Sequence, residues 1–264
     1  MRTLRTSWAL APLSAIILAL CAMPANAAAS NRTWVSGIDG DDANPCTINA
    51  PCASFAGALA KTATGGEIDC LSPGDFGTVT ITKSISIVCD GVSNGGIINT
   101  NSGEAAITVS AGTGAVVYLS GLDINGVAGA GFNGVYVSSG STVYILHCTI
   151  RGLSDSGVNV QSSTSPTRVV INDSIIVNNG YGVFVAGQDS ATNAVIVLDS
   201  VVDGNANYAA GGNRSNSIIA LEKTTLSGSA TGLNLTNGAT GELIGPSNTI
   251  AGAINGTTTS VAFK

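Results

Sequence analysis

The feature that most constrains this chain is a long repeat. Ile124, Ile150, Ile176, Val202, Leu226 and Ile250 recur at intervals of 26, 26, 26, 24 and 24 residues. Two positions after each stands Gly126, Gly152, Asn178, Gly204, Gly228 or Gly252, the residue types that best tolerate positive φ. Two positions before each comes Leu122, Cys148, Ser174, Ser200, Thr224 or Asn248, mostly small and polar. A second run recurs in the same frame as Gly134-Val-Tyr-Val, Gly157-Val-Asn-Val, Gly182-Val-Phe-Val and Gly232-Leu-Asn-Leu. A third begins at Val143, Val169, Val195 and Ile219. In residues 207–217 the matching strand is hard to see. Three short strands in each 24–26-residue unit predict an all-β fold, a right-handed parallel β-helix whose equivalent residues stack about 4.8 Å apart. A β-sandwich would show turn signals every ~8–12 residues without the long period.

A solenoid has open ends that must be covered. Ser54 caps an expected helix over 53–63, running from about Phe55 to Thr62, with Phe55 and Leu59 on one face and Gly65-Gly66 as its stop. Its place before the first strand makes it an N-terminal plug.

Arg2 and Arg5, the apolar run from Trp8 to about Leu20 and the Ala25-Asn26-Ala27 site read as a leader over 1–27, leaving a single β-helix domain over 28–264. The apolar run is shorter than the ~20 residues a spanning helix needs, so a secreted, periplasmic or cell-surface protein with no membrane span is expected. Loss of the two leader arginines moves the net charge from −6 to −8. That balance excludes the electrostatic footprint of a nucleic-acid binder. Export permits disulfides. Cys46 with Cys52 and Cys70 with Cys89 is the favoured arrangement, although four cysteines allow three pairings, and Cys148 is left over as a buried thiol.

The run GGEIDCLSPGDFGTVTITKSISIVCDG after a short helix resembles right-handed parallel β-helix proteins of the pectate-lyase-like superfamily. The stretch WVSGIDGDDANPCTINAPCASFAGAL resembles secreted bacterial members of that fold. The resemblance spans nearly all of the chain after the leader and implies the fold, and it leaves the chemistry open. Similar pectate lyases hold calcium with clustered carboxylates and use an arginine or lysine base. Similar polygalacturonases carry Asn-Thr-Asp, Asp-Asp and Gly-His-Gly motifs. This chain has no Asn-Thr-Asp or Gly-His-Gly, and its one histidine is His147. Its one Asp-Asp, Asp41-Asp42, precedes the cap helix. No catalytic residue of these relatives transfers by position.

Strand alternation would turn His147, Asp173, Asp199 and Lys223 outward from one sheet on successive turns, with Asp123 beside them and Arg151 and Asp203 near the next corner. His147, Asp173, Asp199 and Arg151 are therefore the catalytic candidates, and paired aspartates invite calcium. A solvated, merely charged face explains the same pattern. The Asp39–Asn44 loop resembles a calcium loop loosely, but Ala43 occupies a ligand position. Phe132, Tyr181 and Tyr208 project from corresponding corners, where they would stack on sugar rings or fold back over the turns. In the third run one parity, Tyr144, Val170, Ile196 and Ala220 or Val143, Val169, Val195 and Ile219, faces out as an apolar stripe suited to an oligomer contact. Two functions follow: a non-catalytic polysaccharide-binding or structural surface protein, or a small polysaccharide lyase or glycoside hydrolase.

Overall fold

The computed structural model describes residues 29–262 except 164 and 189, so the expected leader, 1–27, lies outside the described residues. The chain is a parallel β-solenoid with three parallel sheets, of ten, eight and eight strands. The first sheet runs from Ser30–Val35 to Thr257–Val261. The second runs from Val79–Ile81 to Ala253–Asn255, and the third from Gly74–Asp75 to Thr249–Ile250.

The repeat positions stack as their spacing requires. Ile97, Ile124, Ile150, Ile176, Val202, Leu226 and Ile250 are consecutive register partners in the third sheet. The first six are fully buried and Ile250 packs partly buried against the same core. Each such side chain contributes about 1.5–3 kcal/mol of burial, and the column continues through every turn, so the core is a rod of stacked aliphatics. The expected left-handed corners occur at Gly152, Asn178, Gly204, Gly228 and Gly252. Gly126 departs from the column. There positive φ moves to Val127, Ala128 and Gly129, in a longer corner. In residues 207–217 the obscure strand is present as Tyr208–Asn213, paired with Tyr181–Ala186 residue for residue from Val183–Ala210 onward.

The small polar column has a structural cause. Ser174 Oγ accepts the Cys148 N–H at 3.1 Å and donates to the Asn172 carbonyl at 2.9 Å. Ser200 Oγ does the same for Ser174 N–H and the Leu198 carbonyl, at 3.1 and 2.6 Å. Thr224 and Asn248 continue the ladder. These residues sit just after a corner that breaks the strand ladder, so their side chains satisfy the backbone groups left over. Cys148 occupies one rung, and burial pushes its thiol up to about 12, which keeps it unreactive.

At the N-terminal end the helix spans Phe55–Lys61, shorter than expected. It stops at Thr62, whose extended backbone opens the strand Thr62–Cys70 and whose hydroxyl meets the buried Thr33 hydroxyl at 2.7 Å. Gly65-Gly66 lies inside that strand, where the register slips between Ser30 and Arg32. The pair forms an irregularity in the ladder, and the helix has already ended. Phe55, Ala58 and Leu59 point into the core, and the Phe55 ring lies 5.0 Å from that of Phe76. Cys46–Cys52 and Cys70–Cys89 are bonded, with Cα separations of 4.7 and 4.8 Å, and Cys148 is free.

The acidic loop before the helix serves that helix. Asp42 Oδ1 accepts the N–H groups of Ala53 and Ser54, each at 3.0 Å, and its Oδ2 accepts the Ser54 hydroxyl at 2.6 Å. Ser54 in turn caps Gly57 N–H at 3.0 Å. Partial burial raises the Asp42 pKa, but the bonds from Ser54 and Ala53, with Lys61 nearby, outweigh it and leave the carboxyl below its ordinary value. The stabilisation is therefore present above the ordinary carboxylate range and disappears as pH falls through the lowered folded-state value. Asp42→Ala is expected to cost about 1–2 kcal/mol at neutral pH and almost nothing in strong acid, read from urea melts across pH.

Candidate functional site

The charged row expected on a sheet face stands on a corner. His147, Asp173, Asp199 and Lys223 have φ of 51°, 47°, 45° and 46°, between the first-sheet and third-sheet strands. The left-handed backbone at each breaks the alternation from which their sheet position was inferred. All four are exposed. His147 Nδ1 lies 3.3 Å from Asp90 Oδ1 and its Nε2 lies 3.8 Å from Asp173 Oδ2, while Lys223 reaches Asp199 at 3.8 Å. Such solvated pairs contribute little. Arg151 is elsewhere, on the third sheet, engaged with both oxygens of Asp123 at 3.2 and 2.7 Å. Asp203 there accepts the Ser227 hydroxyl. Among the described residues no group of three or more His, Cys, Asp or Glu side chains converges on a cation position.

The aromatic candidates lie on a different surface, the outer face of the second sheet. Strand register there aligns one outward column, Thr80, Thr108, Tyr136, Asn159, Phe184 and Gly211, with Asn234 and Asn255 beyond. A depression of about 580 Å³ opens over this face, walled by Glu104, Phe132, Asn133, Tyr136, Asp155 and Asn159. A second hollow of about 210 Å³ adjoins it, sharing Asp155, Asn159 and Gln161 and bounded by Tyr181, Phe184 and Tyr208. Phe132, Tyr181 and Tyr208 therefore all border one continuous groove. Tyr181 and Tyr208 are register partners with ring centroids 4.7 Å apart, and Phe184 lies 6.4 Å from Tyr208. Phe132 sits in the neighbouring row with Asp155, whose N–H bonds its carbonyl at 3.0 Å. A Cβ at Gly211 would fall 2.2 Å from the Tyr208 ring, so glycine here lets that ring lie across the sheet.

Asp155 is the residue that sequence reasoning missed. It stands at a corner, half buried, and it is bonded by the amide of Asn133 from the preceding turn and by that of Asn159 from the strand that follows it. Burial pushes its carboxyl above the ordinary range, more than those two bonds pull it down. A directed chain of amides leads toward it. Gln188 donates to Gln161 at 3.0 Å, and Gln161 donates to Asn159 at 2.9 Å. Burial, with Tyr181 and Asp155 adjacent, also raises the Tyr208 phenol and keeps it neutral. Aromatic faces beside fixed amide and hydroxyl groups are the arrangement that binds a polar ring with apolar faces.

The outer face of the first sheet carries an apolar column, and its outward parity is Tyr144, Val170, Ile196 and Ala220. Val143, Val169, Val195 and Ile219 are fully buried in the core. Tyr118 and Tyr144 stack there at 4.6 Å. Among the described residues no helix is long and apolar enough to cross a membrane.

Neither a protein-family model nor a curated protein matches the chain. Among solved structures it is similar to pectate lyase Pel9A, at 15% identity over 89% of this chain and 78% of that one, with a TM-score of 0.45. It is also similar to a rhamnogalacturonan lyase, at 13% identity over 88% and 62%, with a TM-score of 0.36. A third is the GH136 lacto-N-biosidase from Eubacterium ramulus, at 11% identity over 88% and 67%, with a TM-score of 0.33.

Proposed function

We propose that this is an exported β-helix protein that binds a neutral polysaccharide along the outer face of its second sheet. The observation that carries this reading is the groove itself. Five aromatic rings, those of Phe132, Tyr136, Tyr181, Phe184 and Tyr208, border it alongside an amide ladder. Its charged lining among the described residues is Glu104 and Asp155, with no Lys, Arg or His. Two carboxyls without a cation disfavour a uronic-acid polymer, whose own carboxylates would be repelled. The two disulfides support export.

One observation favours a second reading, hydrolysis of the bound chain. Asp155 combines a raised carboxyl pKa with a place in the groove, which suits a proton donor, and Glu104 lines the same groove as a second carboxyl. A lyase needs a base to abstract a ring proton, and the lining offers carboxylates and tyrosines for that role but no Lys, Arg or His.

A panel of glucan, mannan, galactan and oligogalacturonate chains tests both readings. Measurable binding of a neutral chain, with at least tenfold weaker binding of oligogalacturonate, is expected. A preference for oligogalacturonate, or no binding at all, would overturn the proposal. Release of new reducing ends that disappears in Asp155→Asn would select the hydrolase.

A further inference from the structure

Ser156 is 1% exposed, borders the smaller hollow, and its Oγ has no hydrogen-bond partner. Buried hydroxyls are normally satisfied, and an unsatisfied one requires a reason. The adjoining Asn133 amide bonds the Ser156 backbone instead, its Oδ1 accepting the Ser156 N–H at 2.9 Å. The hollow offers more than one water's worth of space. At about 210 Å³ it exceeds the ~30 Å³ share of a single water several times over. It is also smaller than the ~300 Å³ at which sites for larger ligands begin. Its walls divide by chemistry. Tyr181, Phe184 and Tyr208 form an apolar side, while Asp155, Ser156 and Asn159 form a polar one.

We infer that this hollow is a subsite for one uncharged pyranose ring, seated against the side formed by the Tyr181, Phe184 and Tyr208 rings and hydrogen-bonded by the Ser156 hydroxyl and the Asp155 carboxyl. The inference rests on the neutral-glycan reading of the larger groove and deepens it, since it places one sugar unit at a named position. The ring's apolar face meets the aromatic side, and its hydroxyls supply the partner that Ser156 lacks. The raised carboxyl of Asp155 agrees with an uncharged occupant, because burial lets it keep its proton to higher pH than an ordinary aspartate, and the protonated form can donate as well as accept.

The test uses purified protein, calorimetric titration with cellohexaose, mannohexaose and a galactan hexasaccharide, and thermal melting. Ser156→Ala removes an unsatisfied hydroxyl, so its melting temperature should equal or exceed that of the parent. Its affinity for the hexasaccharide that the parent binds should fall about three- to tenfold. Ser156→Thr keeps the hydroxyl but adds a methyl to the hollow, and should weaken binding as well. If the parent binds and both variants bind equally well, the subsite is overturned while the groove reading stands. A lower melting temperature with unchanged affinity also overturns it, by making the hydroxyl structural. If the parent binds none of the three probes, the groove reading fails and the subsite fails with it.

Discussion

Gly182→Val is expected to prevent folding or to cost more than about 4 kcal/mol, read from urea denaturation. A Cβ at this position would lie 2.2 Å from the Ala209 carbonyl oxygen and 2.3 Å from a Val202 methyl. The first contact is with the backbone of the next turn and cannot be relieved by rotating a side chain. Relief would require separating two turns of the solenoid, and each turn is hydrogen-bonded to both neighbours. Gly77→Asn is the matched comparison. Gly77 has φ of +69° with nothing within 4 Å of a built Cβ. Asparagine tolerates that backbone, so a change within about 0.5 kcal/mol is expected. Equal loss in the two variants would mean that turn-to-turn contact is not what selects glycine at 182.

The second large effect concerns an internal amide. Asn179 is 3% exposed, and its Oδ1 accepts the Leu153 N–H at 3.1 Å. Its Nδ2 donates to Asn205 Oδ1 at 3.1 Å and to the Ile150 carbonyl at 3.3 Å. Asn205 Oδ1 also accepts the Asn179 N–H at 3.0 Å, so the side chains stack from turn to turn. Asn179→Ala strands a buried N–H and leaves a cavity, and about 3 kcal/mol of destabilisation is expected in the same melts. The change should be non-additive with Asn205→Ala, because the two amides share a bond. A loss below about 1 kcal/mol, or simple additivity, would show that the ladder does not hold the corners.

The sequence revealed the solenoid because its information is periodic. Ile150 and its partners must point inward at every turn, and glycine or asparagine must follow where the chain bends, so three columns agree independently. The charged row at His147, Asp173 and Asp199 faces outward on successive turns as alternation predicts, but it stands on a corner and not on the sheet face, because each of these residues sits at positive φ. Tyr208–Asn213 was obscure because Ala209, Ala210, Gly211 and Gly212 carry little strand signature. Register with the neighbouring turns and the Tyr208 ring over Gly211 define that strand. Phe132, Tyr181 and Tyr208 stood out as corner aromatics, but the groove beside them did not. Asp155 takes its side-chain hydrogen bonds from residues 22 before it and 4 after it, Asn133 and Asn159. Nothing in the local sequence distinguishes it from Asp173.

A crystal structure with the tightest-binding neutral oligosaccharide tests the central claim most directly. The expected chain lies over Thr108, Tyr136, Asn159 and Phe184, with one ring against Tyr181 and Tyr208 and within hydrogen-bond distance of Asp155 and Ser156. A chain found instead on the Tyr118–Tyr144 face, or at the His147–Asp173 corner, would contradict it.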